Sequence, residues 1–281
     1  MLTFVGLGLY DERSITVEGR DALDDADHVF AEFYTSKLSG ASVADLEAYH
    51  GAEIEVRDRS GVERDPEPIL DAAARGGAAF VVAGDPMIST THTDLRLRAH
   101  ERDVATRVIH GTTAQAAASS LTGLQNYRFG KATTIPFAYG DNGGGAPDSV
   151  LDTIDANRER GLHTLCYLDI RAAEDRYMTA STAAKRLAPG LDDPLGVVVA
   201  RAGSPDPVVA ADRLSALADR SFGAPLHLLV IPGDLHHVER DAVVGLADAP
   251  PGSVPGPTEH SSIDGHESVP DRRSGTSRTP E

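Results

Sequence analysis

Leu2-Thr3-Phe4-Val5-Gly6-Leu7-Gly8-Leu9-Tyr10 is the stretch on which the fold turns. Leu2 to Val5 make a short run that reads as a strand. The run ends in a glycine pair, and glycine at a strand's carboxyl end lets the backbone turn tightly or come close to a ligand. A dinucleotide fingerprint would need a third glycine at position 11, where this chain has Asp11. The charged Asp11-Glu12-Arg13 also delays the entry into a helix. A phosphate-cradling Gly-x4-Gly-Lys loop is absent. Read alone, the motif fits a bare tight turn as well as a ligand site.

Outward from this strand, residues 15–26 predict a helix, 28–33 a second strand, 42–49 a short helix opened by a serine cap, and 53–56 a third strand. Residues 66–75 read as a helix with proline in its first turn, closed by Gly76-Gly77. Residues 78–83 form a buried strand ending at Gly84, 93–102 a helix, and 106–109 a closing strand. This alternation predicts a largely parallel sheet with helices on both faces. Past Gly111 a helix over 114–121 leads into apolar segments at 132–137, 164–168, 196–200 and 226–231. Helical stretches at 149–160, 179–187 and 213–219 separate them, which reads as a second α/β lobe with a mixed sheet. The expected fold is therefore α/β in two lobes: an N-terminal domain over 1–112, a C-terminal domain over 113–249, and a disordered tail over 250–281. Residues 139–147, with Gly143-Gly144-Gly145, read as a mobile surface insertion.

Composition narrows the class. The 281 residues carry a net formal charge of -17 and only three lysines, Lys37, Lys131 and Lys185. The tail has five acidic residues against three basic ones, so the acidity belongs to the folded body. Such a surface fits a protein kept soluble in concentrated salt, or one facing a basic partner. Nonspecific nucleic-acid binding is not expected, because no basic stripe can displace counterions. No apolar stretch approaches the roughly 20 residues of a membrane span, and no signal peptide is evident. The single cysteine, Cys166, sits in an apolar run and reads as core packing. A cytoplasmic protein is the simplest expectation.

The second motif is Gly84-Asp85-Pro86, directly after a strand. A carboxylate there accepts hydrogen bonds from an amine or hydroxyl of a ligand, or merely caps its own turn. No metal is expected: adjacent His236 and His237 should point apart, and His92 and His100 lack the i, i+4 spacing of a zinc helix. No Gly-x-Ser-x-Gly elbow marks a serine nucleophile. Glu32-Phe33-Tyr34-Thr35, Asp169, Arg171 and Arg201 stand at the ends of apolar strands, as the walls of a cleft would.

In order along the chain, several runs resemble archaeal diphthine synthases. They are residues 4–16 and 29–36, Gly84-Asp85-Pro86 with Thr90-Thr91-His92, then Gly161-Leu162-His163-Thr164-Leu165 with Leu168-Asp169-Ile170. Ala200-Arg201-Ala202-Gly203-Ser204 and Pro232-Gly233-Asp234-Leu235-His236 complete the set, over roughly residues 2–248. The resemblance implies a two-domain fold of the tetrapyrrole-methylase type, a homodimer, with S-adenosylmethionine in the cleft between the lobes. It implies cofactor contacts at Leu9, Asp85, Ile88, Thr113, Ala114, Leu168, Ala202 and His227. Thr113-Ala114 stands where many relatives have Ser-Ile, and Ile88 where some have Val. The implied acceptor is the amine of a 3-amino-3-carboxypropyl histidine in translation elongation factor 2, methylated three times in archaea. No general base is identified. A methylase of the same fold acting on a corrin or porphyrin precursor is the alternative, disfavoured because this acidic chain attracts polyanions poorly. A nicotinamide oxidoreductase and a non-catalytic binding module are more distant readings.

Overall fold

The computed structural model describes residues 1–138 and 144–256. In the first lobe, β1 (Leu2–Gly6), β2 (His28–Glu32), β3 (Ile54–Val56), β4 (Ala78–Val82) and β5 (Thr106–Ile109) form one sheet in the order β3-β2-β4-β1-β5, all parallel. α1 (Val17–Asp24), α2 (Val43–His50), α3 (Arg59–Glu63), α4 (Glu67–Arg75) and α5 (His92–Glu101) connect and cover it. Alternation along the strands sends Phe4 and Phe80 toward Ile69, Leu70 and Leu95 on one face, and Val5, Ala79 and Val81 toward Leu23 and Leu46 on the other. Both faces are thus apolar, which is why β4 reads as an unbroken hydrophobic run and β1 as one interrupted only by Thr3. The caps are as the sequence indicates. Ser42 and Asp45 form a reciprocal capping box on α2, and Gly51 closes that helix in the left-handed region.

The second lobe contains α6 (Ala114–Thr122), β6 (Thr133–Ile135), α7 (Asp148–Arg158), β7 (Thr164–Leu168), the small hairpin β8 (Ile170–Arg171) and β9 (Arg176–Tyr177), and α8 (Ala180–Leu187). β10 (Leu195–Ala200), β11 (Val208–Arg213), α9 (Leu214–Ala218), β12 (His227–Ile231) and α10 (His237–Leu246) complete it. Its sheet runs β11-β10-β12-β7-β6, with only β6 and β7 parallel, so it is mixed as expected. α7, α8 and α9 pack on one face, α6 and α10 on the other.

α3, β11, the β8–β9 hairpin and α10 are absent from the sequence reading. α10 is fixed by a buried charge: Glu239 accepts hydrogen bonds from Gln125 N (2.9 Å), His236 N (2.8 Å), His163 Nε2 (3.0 Å) and Arg128 Nη1 (3.0 Å). Nothing local in the sequence announces that network. Residues 250–253 also depart from the expected free tail, since Ser253 is buried and Val254 packs on the core beneath α10. The expected tail beyond residue 256 lies outside the described residues, as do 139–143 of the expected mobile insertion. The described end of that insertion is held down, because Arg186 donates to the carbonyls of Gly144 (3.2 Å) and Gly145 (2.6 Å).

Candidate active site

The chain leaves β1 toward β2 and leaves β4 toward β5, over opposite faces of the sheet. The carboxyl ends of β1 and β4 therefore flank a topological switch point, where open α/β sheets bind ligands. Glycines make that point narrow. A Cβ on Gly6 would lie 2.5 Å from Gly84 O and 2.5 Å from Gly111 N, and one on Gly111 would lie 2.2 Å from Gly84 O. Beyond them Gly8 and Gly84, both with φ near +80°, pair their backbones reciprocally (3.3 and 2.6 Å). The glycine pair thus turns the chain tightly and also opens its backbone to a cavity.

That cavity, of about 350 Å³, lies between the lobes, and all eight residues singled out above are on its wall. Leu9 follows β1, and Asp85 and Ile88 occupy the turn after β4. Thr113 and Ala114 open α6, Leu168 ends β7, Ala202 follows β10, and His227 begins β12. Asp85 is buried, with Oδ1 accepting from Met87 N (2.9 Å) and Oδ2 paired with His110 Nδ1 (2.8 Å). It both caps its own turn and faces the cavity, so the two sequence readings are compatible. Thr113 caps α6 by accepting from Gln115 N (3.0 Å). The His227 ring is fully engaged inside the protein: Nδ1 accepts from Ala180 N at the start of α8 (3.1 Å), and Nε2 donates to Ala224 O (3.0 Å). Burial, reinforced by nearby Arg201, lowers its pKa and keeps it neutral. With both ring nitrogens engaged, the imidazole has none free to take a proton from a ligand.

The first-lobe rim is built on buried Glu32. Its Oε2 accepts from Tyr34 N (2.9 Å) and Thr35 N (3.0 Å), its Oε1 from the Thr35 hydroxyl, and His92 Nε2 lies 3.4 Å from Oε1. Burial would raise this carboxyl, but the neighbouring His92 ring and the hydrogen bonds from Thr35 outweigh it and hold it low. Glu32-Phe33-Tyr34-Thr35 and Thr90-Thr91-His92, distant in sequence, are therefore one unit. Burial and the Glu32 and Glu63 carboxylates push the Tyr34 phenol up, and its hydroxyl has no partner among the described residues. The lobes touch across the cavity: Ser89 donates to the Tyr167 hydroxyl (2.9 Å), Lys37 Nζ sits 3.7 Å from the Tyr177 ring centre, and Gly203 abuts Leu9. Lys37, Arg59, Tyr167 and Tyr177 went unnoticed in the sequence because only the docking of the lobes brings them to the wall.

Cys166 is fully buried, and burial pushes its thiol up to about 12, so it is packing and not a nucleophile. The His236 and His237 rings, expected to point apart, lie with centres 4.0 Å apart. The capping box that ties His236 to Glu239 folds the chain back at the start of α10.

Residues 1–218 match the family model of the Tetrapyrrole (Corrin/Porphyrin) Methylases, the class that this pair of sheets and its interlobe cavity define. The chain is 72% identical over 259 residues to a diphthine synthase of Halorubrum lacusprofundi, covering 89% of this chain and 98% of the relative. It is 67% identical to a diphthine synthase of Halobacterium salinarum, covering 89% and 98%. A crystal structure of diphthine synthase superposes with a TM-score of 0.83 at 38% identity, covering 89% and 96%. The chain belongs to the diphthine synthase family. It is a methyltransferase that uses S-adenosylmethionine, and its salt-loving relatives match the acidity of its composition.

The cavity suits that donor. Its volume falls within the range of small-molecule sites, about 300 to 1,000 Å³. Leu9, Ile88, Leu168 and Met178 offer apolar wall for a base, and the start of α6 brings backbone N–H groups to the lining. Asp85 and Asp169 offer carboxylate oxygens, and the buried Thr90 hydroxyl, also on the wall, has no partner among the described residues.

Proposed function

We propose that the chain methylates the amino group of the 3-amino-3-carboxypropyl histidine of translation elongation factor 2, adding three methyl groups. In this reading it works as a cytoplasmic homodimer without nucleic acid or membrane. Leu9, Asp85, Ile88, Thr113, Ala114, Leu168, Ala202 and His227 hold the donor. The first domain ends at residue 112, and the second runs from 113 to 249. The observation that carries the reading is that these eight residues, drawn from both lobes, share one cavity at the switch point of the first sheet. Among the described residues no helix is long and apolar enough to cross a membrane, which is compatible with the cytoplasm.

The donor supplies an activated methyl on a sulfonium, and the carbon–sulfur electron pair leaves with the thioether. The protein's part is alignment. Asp85, fixed by Met87 N and His110, and the capped start of α6 orient the donor. The rim on the other side of the cavity holds the acceptor nitrogen at near-attack distance, which is worth several kcal/mol of the barrier. Each transfer needs a free lone pair, so the acceptor nitrogen loses one proton, to water or to a base, before each of the three methylations, and the quaternary product of the third carries no proton. The test is transfer of labelled methyl to elongation factor 2 carrying the precursor, with mass spectrometry to count additions. Labelling that stops at one methyl would overturn the threefold reading, and no labelling would overturn the acceptor.

A further inference from the structure

Three cationic side chains other than histidine line the cavity: Lys37, Arg59 and Arg201. Two are already committed. Arg201 donates to the carbonyls of Phe222 (2.7 Å), Ala224 (3.4 Å) and Asp206 (3.5 Å). Arg59 pairs with Glu63 (3.2 Å) and lies over the Tyr34 ring (4.8 Å). Lys37 is half-buried, and its ammonium meets only the face of Tyr177, with no oxygen partner among the described residues. In a chain with 43 acidic residues and three lysines, a lysine without a counter-ion inside the cleft is conspicuous.

We infer that Lys37 is the specificity-determining residue for the acceptor, pairing with a carboxylate on the group that is methylated. The inference rests on the reading that the acceptor is an amine bearing such a carboxylate. The remaining lining argues the same way. Asp85 and Asp169 are on the wall and Glu32 lies beneath it, so an anionic group is best placed beside an uncommitted cation. Lys37 stands on the loop after β2 and faces Tyr177 of β9, in the second-lobe hairpin. In concentrated salt, long-range attraction is screened within a few ångströms, so an acidic enzyme must select an anion by contact in a partly dry cleft. A lysine braced on an aromatic face serves that purpose, because the ring pre-positions the ammonium and leaves its N–H donors free.

The test compares wild type, Lys37→Met and Lys37→Arg with elongation factor 2 carrying the 3-amino-3-carboxypropyl histidine, and with acceptor peptide whose carboxylate is converted to carboxamide. Affinity for S-adenosylhomocysteine is measured in parallel. The expected result for Lys37→Met is a KM for the carboxylate acceptor raised roughly ten- to a hundredfold, with donor-product affinity within about twofold. Lys37→Arg should recover most of the loss, and the carboxamide acceptor should be handled alike by wild type and Lys37→Met. An unchanged KM in Lys37→Met, while wild type methylates the factor, overturns the assignment alone. Equal losses of donor affinity and turnover would show that Lys37 merely staples the lobes through Tyr177, and would also overturn it. A wild-type enzyme that never labels the factor overturns both this assignment and the acceptor reading beneath it.

Discussion

Asp85 concentrates the residue-scale question, because one carboxylate does two things. Its bond to Met87 N stiffens the turn after β4, and its pairing with His110 ties that turn to the end of β5. Replacing it with alanine removes the turn bond and one cavity-lining charge together. The expected outcome for Asp85→Ala is at least about a tenfold loss of S-adenosylhomocysteine affinity, because a charge-assisted bond is worth about 1.5 to 3 kcal/mol. A drop in thermal midpoint of a few degrees should accompany it. Calorimetry and a melting curve on the same variant separate the effects: affinity unchanged within about twofold would leave Asp85 a turn cap only. The motif Gly84-Asp85-Pro86 marked this position as important. It did not reveal His110, whose approach depends on β1 standing between β4 and β5 in the sheet.

At the scale of elements, α10 is the clearest case of structure held by a charge. Glu239 is fully buried at its first turn and accepts from Gln125, His236, His163 and Arg128, linking α10 to the segments before β6 and β7. Burial would raise its pKa, but these hydrogen bonds overcome that and bring it down to about 2, against an ordinary value of 4.5. A depressed carboxylate stabilises the fold fully above the unfolded value, and that contribution fades as pH falls from about 4.5 to about 2. The shift corresponds to about 3 kcal/mol at neutral pH. Glu239→Gln should therefore unfold well before wild type at pH 7, and the gap should close as pH approaches about 2. Urea titrations of both proteins across this range check the prediction, and a constant gap would mean that the charge of Glu239 is immaterial. The helix escaped the sequence reading because its decisive residue is polar, whereas periodicity arguments look for apolar ones.

Across the whole molecule, a net charge of -17, most of it on the folded body, predicts self-repulsion that salt relieves. Raising the salt from about 0.1 M to above 1 M shortens the screening length from about 10 Å to about 3 Å or less. The melting temperature should rise with it, and a flat or falling dependence would show that the acidity serves a partner instead. Much at this scale was legible in the chain alone. Largely apolar runs at β1, β4, β7, β10 and β12 set the buried strands, because strands covered on both faces need apolar residues at most positions. Glycines at the strand ends marked where the backbone comes close, and the ordered motifs carried the family resemblance. These are local signals, written within a few residues of where they act. The docking of the two lobes is not local. Only that packing gathers Leu9, Asp85, Thr113, Leu168 and His227 onto one wall, turns the His227 ring inward to Ala180 and Ala224, and sets Lys37 over Tyr177. Such contacts depend on sheet order and side-chain fit between segments far apart in the chain, and no short-range pattern in the sequence encodes them.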